Sequence, residues 1–85
     1  MDIAVEISLY PLDAAFIPPI SAFIERIGRA QGLKVVTTSL STQISGAYAD
    51  VMAVLTREMH TTFSSLDKAV FVIKVIGPLT PAAAA

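Results

Sequence analysis

The side chains with the clearest chemical potential in this 85-residue sequence lie at alternate positions of its first apolar segment. In the run IAVEISLYP, Glu6, Ser8 and Tyr10 alternate with apolar residues. Successive side chains of a β-strand point to opposite faces, so a carboxylate, a hydroxyl and a phenol share one face. Such groups accept hydrogen bonds, and the two hydroxyls also donate them. We therefore expect a binding surface on the polar face of this strand.

A second group of polar side chains lies in the segment TTSLSTQISG, which follows the β-branched run LKVV. This composition predicts two strands of a hairpin joined around residues 39–42. In the second strand Thr42 and Ile44 point one way, and Gln43 and Ser45 point the other. Ser39, Thr42, Gln43 and Ser45 are therefore further candidate ligand contacts. Alternatively, these Thr and Ser residues only satisfy the main chain of the hairpin.

Composition excludes several other kinds of site. The chain has no cysteine, which excludes disulfides, thiol nucleophiles and cysteine-based metal sites. His60 is the only histidine. With no second ligand at metal spacing, it is expected on a helix surface, and no metal or cofactor is expected. The net charge of −1 without a basic run disfavours nucleic acid as a partner. No export signal and no membrane-spanning run are visible, so we predict a cytoplasmic protein.

The apolar periodicity predicts the elements that position these side chains. Pro18 and Pro19 suit the first turn of a helix that Gly32 ends, and Gly46 opens a second helix. The first helix is expected to bury Ile20, Phe23, Ile24 and Ile27. The second is expected to bury Tyr48, Val51, Met52, Leu55, Met59 and Phe63. A last strand covers 69–76, so residues 1–77 form one domain and residues 78–85 are predicted to be a disordered tail.

The order β-α-β-β-α-β predicts a ferredoxin-like α+β fold. Its four-stranded antiparallel sheet, in spatial order 4-1-3-2, carries both helices on one face. The other face, the open face, is expected to carry Val70, Val72 and Ile76 beside Ala4 and Tyr10. With 54% hydrophobic and 15% charged residues, the chain has more apolar side chains than so small a domain buries. We therefore predict that a second copy covers the open face.

Two motifs carry a family resemblance: E-x-S-x-(aromatic)-P-L over residues 6–12 and T-x-I-x-G over residues 42–46. With the helix end EMHTTF and a last strand that contains Lys74, they resemble the YkoF-related thiamine- and hydroxymethylpyrimidine-binding proteins over residues 3–76. The hairpin tip 39–41 departs from the Pro-Met-Gly turn of many members. The resemblance implies ferredoxin-like subunits that form dimers or tetramers and bind a ligand without catalysis.

An aminopyrimidine ligand suits the polar side chains, because its amine donates and its ring nitrogens accept hydrogen bonds. The predicted site lies on the open face or at a subunit interface and comprises Glu6, Ser8, Tyr10, Ser39, Thr42, Gln43 and Ser45. Alternatively, Glu6 forms an ion pair with Lys74, and the domain is a homo-oligomeric interaction module without a ligand. A small cofactor-independent enzyme is disfavoured because the inward residues are apolar. The sequence leaves thiamine, its phosphates and the bare pyrimidine open, although few clustered Lys or Arg argue against phosphate.

Overall fold

Six regular elements follow one another in the predicted order in a computed structural model, which describes residues 1–79. They are β1 (Asp2–Pro11), α1 (Ile17–Gly28), β2 (Lys34–Thr37), β3 (Thr42–Ala47), α2 (Tyr48–Ser65) and β4 (Ala69–Leu79). The strands form one sheet in the order β2-β3-β1-β4, and all neighbours are antiparallel. The predicted ferredoxin-like α+β fold is confirmed.

The core lies between the two helices and the face of the sheet that carries alternate residues of β1. The four odd-numbered apolar residues of the strand are all buried: Ile3, Val5, Ile7 and Leu9. They belong to one cluster with Phe23 and Ile27 of α1 and with Val51 and Leu55 of α2. The predicted alternation along β1 is confirmed.

Both helices begin or end a few residues away from the glycines that were predicted to bound them. Pro18 and Pro19 do lie in the first turn of α1, as expected, but this helix ends at Gly28. Gly32 instead occupies the turn before β2 with φ +78°, a conformation that suits glycine. Gly46 belongs to β3, where an added Cβ would lie 2.6 Å from Leu33 Cδ2. This glycine therefore allows a close approach rather than opening α2.

The buried face of α2 is rotated from the predicted stripe. Val51 and Leu55 are buried as expected, but Tyr48 and Phe63 are 50% and 52% exposed. Three other residues of α2 are buried in their place: Val54, Glu58 and Thr62. Apolar periodicity alone misplaces the face because two of these three residues are polar.

Glu58 can be buried because two cations neutralise it. Its Oε1 accepts a hydrogen bond from Arg26 Nε of α1 at 2.6 Å, and its Oε2 accepts one from Arg57 Nε at 3.2 Å. A buried carboxylate is tolerated only when it is paired in this way. The ion pair links α1 to α2 at the contact between the two helices.

The register between β1 and β4 builds the open face that the sequence predicts. Tyr10 lies opposite Val70, Ser8 opposite Val72, Glu6 opposite Lys74 and Ala4 opposite Ile76. Side chains of opposite residues share a face, so the apolar residues of β4 lie beside the polar residues of β1. The three apolar residues of β4 in this set are 44%, 49% and 66% exposed, in chain order.

The strand β4 is longer than predicted. It continues through Pro78 to Leu79, which lies opposite Asp2 at the start of β1. Both residues lie within the predicted tail, and the pairing of Leu79 with Asp2 extends the strand beyond its predicted end. The rest of the predicted tail, residues 80–85, lies outside the described residues. Within residues 1–79, no helix is long and apolar enough to cross a membrane.

Candidate functional site

The site begins where β1 extends beyond the end of its neighbour β3. The β1–β3 ladder ends at the pair Ile7–Thr42, whereas the β1–β4 ladder continues to Pro11–Ala69. At this point the chain of the β2–β3 hairpin turns back over residues 38–41, and Thr38 N–H donates to the Ser41 carbonyl at 2.9 Å. Residues 8–11 of β1 therefore have no strand beside them on the β3 side. We refer to this gap in the sheet as the notch.

The notch opens into a pocket of about 530 Å³. Three segments line it: residues 7–12 of β1 and its following loop, the start of α1, and residues 37–42 of the hairpin. Its apolar wall comes from the α1 region and consists of Phe16, Ile20, Phe23 and Ile24. The volume lies within the range of small-molecule sites, about 300–1,000 Å³.

Seven of the residues that line the pocket carry a hydroxyl group: Ser8, Tyr10, Thr37, Thr38, Ser39, Ser41 and Thr42. The Thr38 hydroxyl accepts hydrogen bonds from the main chain of Leu40 and Ser41, at 3.1 and 3.3 Å, so it holds the turn. Thr37 Oγ1 and Thr42 Oγ1 lie 3.3 Å apart. Because one hydroxyl of this pair donates to the other, the pair retains a second proton for a ligand.

The structure divides the predicted site between two places. Ser8, Tyr10, Ser39 and Thr42 all line the pocket. Glu6 and Gln43 lie opposite each other on β1 and β3, and they line a separate groove of about 360 Å³ on the open face. Ser45, the seventh predicted residue, lies opposite Ala4 and lines neither space. The single polar site expected from strand alternation is thus not one cavity.

Glu6 already has a cationic neighbour in its groove. Lys74 Nζ lies 3.6 Å from Glu6 Oε1, and the two side chains are 79% and 41% exposed. This is the ion pair that the sequence offered as the alternative role for Glu6. A pair so accessible to water contributes little to stability, about 0–1 kcal/mol. A ligand that binds the Glu6 carboxylate would nevertheless have to compete with Lys74.

The pocket contains residues that sequence analysis did not assign to a site. Its wall consists of Phe16, Ile20, Phe23 and Ile24, and the sequence predicts the last three only as core residues. From the sequence, Thr37 is expected only as a residue of the hairpin. Phe16 offers one usable signal in the sequence, because it precedes the two prolines that begin the helix and lies outside the apolar stripe. An aromatic residue outside the apolar stripe is a candidate for a ligand contact.

The described part of the chain offers little for metal chemistry. Residues 1–79 contain no group of three His, Cys, Asp or Glu side chains placed to hold a metal ion. His60 is exposed on α2, as predicted, and its carbonyl accepts a hydrogen bond from Ser64 Oγ at 2.7 Å. The arrangement of the pocket, with hydroxyls facing an apolar wall, is suited to binding a flat molecule with a polar edge.

Solved structures share this fold. A Streptococcus pneumoniae protein superposes with a TM-score of 0.84 at 18% identity, over 93% of this chain and 89% of that one. A Thermotoga maritima protein, described as having a proposed role in thiamine biosynthesis or salvage, gives 0.81 at 16% identity, over 92% and 85%. A hypothetical protein of Methanocaldococcus jannaschii gives 0.78 at 21%, over 92% and 81%. Identities this low show the common fold.

The sequence itself carries the family assignment. No curated protein matches the chain significantly. The model of the thiamine-binding protein family, however, matches residues 5–76, which run from β1 into β4 and include the notch, the hairpin and both helices. The match covers most of the chain. This protein therefore belongs to the thiamine-binding protein family.

Proposed function

We propose that this protein binds thiamine or its hydroxymethylpyrimidine moiety in the pocket at the notch, and that it does so without catalysing a reaction. The observation that carries the proposal is the pocket itself, in which Thr37 and Thr42 of the hairpin lie on the same side of the sheet as the apolar wall of α1. The family match supports the choice of ligand. The fold shared with the Thermotoga protein is consistent with the same choice.

The chemistry of an aminopyrimidine fits such a pocket. Its ring has two apolar faces, which Phe16 and Ile20 would cover, and a polar edge with an amine and ring nitrogens. The hydroxyls of Thr37 and Thr42 both donate and accept hydrogen bonds, so they can serve either kind of ring substituent. Most of the binding free energy would come from burying the ring faces, and the hydroxyls would orient the ring.

The charge of the pocket favours an unphosphorylated ligand. Among the described residues that line it, none carries a charge. A phosphate ester would place two negative charges beside hydroxyls without a Lys or Arg partner, and neutral hydroxyls bind a phosphate more weakly than these cationic side chains do. We therefore expect thiamine monophosphate and diphosphate to bind more weakly than thiamine or hydroxymethylpyrimidine.

We further propose that a second copy of the chain covers the open face, giving a dimer or a tetramer. Val70, Val72 and Ile76 lie exposed in one row there. Tyr10 connects this face to the pocket, because it lies opposite Val70 and also lines the pocket wall. An apolar row of this kind in a small domain is most simply covered by self-association.

A thermal-melt screen at fixed subunit concentration tests the binding function. A ligand present at 100 times its dissociation constant adds about 2.7 kcal/mol to the free energy of unfolding. In so small a domain this raises the melting temperature by about 10 °C or more. We expect such a rise with hydroxymethylpyrimidine or thiamine, and a smaller one with the phosphate esters.

The open face supports a second candidate function, an assembly module without a small-molecule ligand. This alternative predicts an oligomer that melts cooperatively and whose melting temperature none of these compounds changes. A rise with any one of them would exclude it. A uniform lack of response would contradict the binding function.

A further inference from the structure

The main-chain groups of alternate residues of β1 form hydrogen bonds with β3 and with β4. Beyond the two ends of the strand, Tyr48 N–H donates to the Met1 carbonyl at 2.9 Å and Leu12 N–H donates to the Lys68 carbonyl at 3.1 Å. Both pairs continue the registers of the β1–β3 and β1–β4 ladders. In an antiparallel ladder the N–H and C=O of one residue point to the same side, and the sides alternate. The main-chain N–H and C=O groups of odd-numbered residues of β1 therefore point toward β3, and those of even-numbered residues point toward β4.

Leu9 is the odd-numbered residue whose main-chain N–H and C=O point into the notch. Continuing the register beyond Ile7–Thr42 would place Leu40 opposite Leu9. Leu40 instead belongs to the hairpin turn, where its N–H donates to Thr38 Oγ1 and its carbonyl accepts from Ser8 Oγ at 3.4 Å. Within residues 1–79, neither the N–H nor the C=O of Leu9 has a hydrogen-bond partner. Pro11, two residues on, has no N–H to leave unpaired.

This unpaired pair of main-chain groups lies on a buried residue. Leu9 is only 7% exposed, and it lines the pocket. Buried main-chain N–H and C=O groups are nearly always paired, with protein, water or ligand. The notch therefore presents one donor and one acceptor, side by side and fixed in direction by β1, to whatever occupies the pocket.

We propose that the main chain of Leu9 recognises the amino edge of the pyrimidine. The ring edge takes the place that a longer β3 would occupy beside Leu9. The Leu9 carbonyl accepts a hydrogen bond from the exocyclic amine, and the Leu9 N–H donates one to the adjacent ring nitrogen. This inference rests on the proposed function and names the contact that selects the ligand class. The amine and the ring nitrogen next to it are a donor and an acceptor side by side. They match the C=O and the N–H of one extended residue, which are an acceptor and a donor side by side.

The side-chain hydroxyls then have a separate role. A ring held by its amino edge against Leu9 would direct its other substituents toward the hairpin, where Thr37 and Thr42 lie in the pocket wall. Selection by the main chain also explains why the pocket needs no carboxylate to bind an amine. Glu6, the carboxylate that the sequence suggested for this purpose, lies in the other groove.

Amide exchange with water, measured by NMR on uniformly ¹⁵N-labelled protein, tests the inference residue by residue. In the free protein we expect the Leu9 amide to exchange on the sub-second timescale, because it faces a solvated pocket. The amides of Ser8 and Tyr10 pair with β4 and are the internal controls, with no exchange detectable on that timescale. Saturation with hydroxymethylpyrimidine should slow exchange at Leu9 at least tenfold and leave the two controls unchanged.

An analogue keeps this test separate from the binding function. 2-Methyl-5-hydroxymethylpyrimidine lacks the amine, so it loses the bond to the Leu9 carbonyl and is expected to bind at least tenfold more weakly. If hydroxymethylpyrimidine binds but exchange at Leu9 does not slow, or if the analogue binds equally well, the Leu9 contact is wrong while the binding function stands. If neither compound nor thiamine binds, both are wrong. A protected Leu9 amide in the free protein would also overturn the inference.

Discussion

The hydroxyls of Thr37 and Thr42 lie 3.3 Å apart across the β2–β3 hairpin, in the wall of the pocket that faces the apolar side chains of α1. Thr42 is 4% exposed, so its side chain is buried in this wall. This pair provides the polar contact of the pocket that is easiest to remove without changing shape, because valine has nearly the same volume as threonine.

We expect Thr42→Val to weaken binding of hydroxymethylpyrimidine about tenfold, the cost of about 1.4 kcal/mol for one lost hydrogen bond. Isothermal titration calorimetry measures the change. Thr56→Val, on the exposed side of α2, is the control and should bind as the parent does. Equal affinities for the parent and both variants would show that the Thr42 hydroxyl is not a ligand contact.

Phe16 and Ile17 are adjacent residues with comparable exposure, 49% and 64%, but only Phe16 lines the pocket. Phe16→Ala should therefore weaken ligand binding about tenfold through loss of an aromatic wall. Ile17→Ala should leave affinity unchanged. Both variants should melt within a few degrees of the parent, since neither side chain belongs to the core. A comparable loss in both would indicate a general effect on the start of α1.

The ion pair between Glu6 and Lys74 predicts a different outcome for the carboxylate on the open face. Glu6→Gln keeps the shape of the side chain and lies outside the pocket, so affinity for hydroxymethylpyrimidine should change less than twofold. The same calorimetric titration reports this value. A tenfold loss would instead place the ligand on the open face, where strand alternation first suggested it.

Two valines of β4 test the proposed assembly. Val72 is 49% exposed on the open face, whereas Val75 is 55% exposed and lies opposite the inward-facing Val5. Val72→Asp places a charge within the proposed interface and should give a monomer by light scattering coupled to size-exclusion chromatography. Val75→Asp, with the same cost to the strand, should keep the parental mass. The reverse result would show that the other face of the sheet assembles.

Substitution of two arginines near the end of α1 compares the stability contribution of the buried ion pair with that of an exposed ion pair. Arg26 bonds to Glu58, whose side chain is 3% exposed, while Arg29 bonds to the exposed Glu25. Arg26→Met leaves a buried carboxylate with only Arg57 beside it and should cost about 2 kcal/mol. Arg29→Met should cost less than about 0.5 kcal/mol. Urea denaturation measures both, and equal losses would contradict the structural role of Arg26.

Much of the fold follows from local patterns that the sequence displays directly. The alternation of Ile3, Val5 and Ile7 fixes the inward face of β1, and the order of elements then permits one familiar topology. The face of α2 is harder to predict because Glu58 and Thr62 are polar. Their burial depends on Arg26, a residue of another helix, and such a pairing is invisible to a helical periodicity.

The candidate site could be predicted only in part, for a geometric reason. Alternation correctly groups Glu6, Ser8 and Tyr10 on one face, but it does not show that β3 ends beside Ile7. The notch results from that mismatch in strand lengths, so it separates Ser8 and Tyr10 from Glu6. The free main chain of Leu9 has no sequence signal at all, because it depends on where the hairpin turns.

The most direct measurement is a titration of ¹⁵N-labelled protein with hydroxymethylpyrimidine, followed by ¹H–¹⁵N amide chemical shifts. We predict saturable shifts concentrated in residues 8–12, 16–24 and 37–42, the segments that line the pocket. The amides of Gln43 and Lys74, in the groove on the open face, should move little. Saturable shifts centred on those two residues, or no shifts at millimolar ligand, would contradict the account.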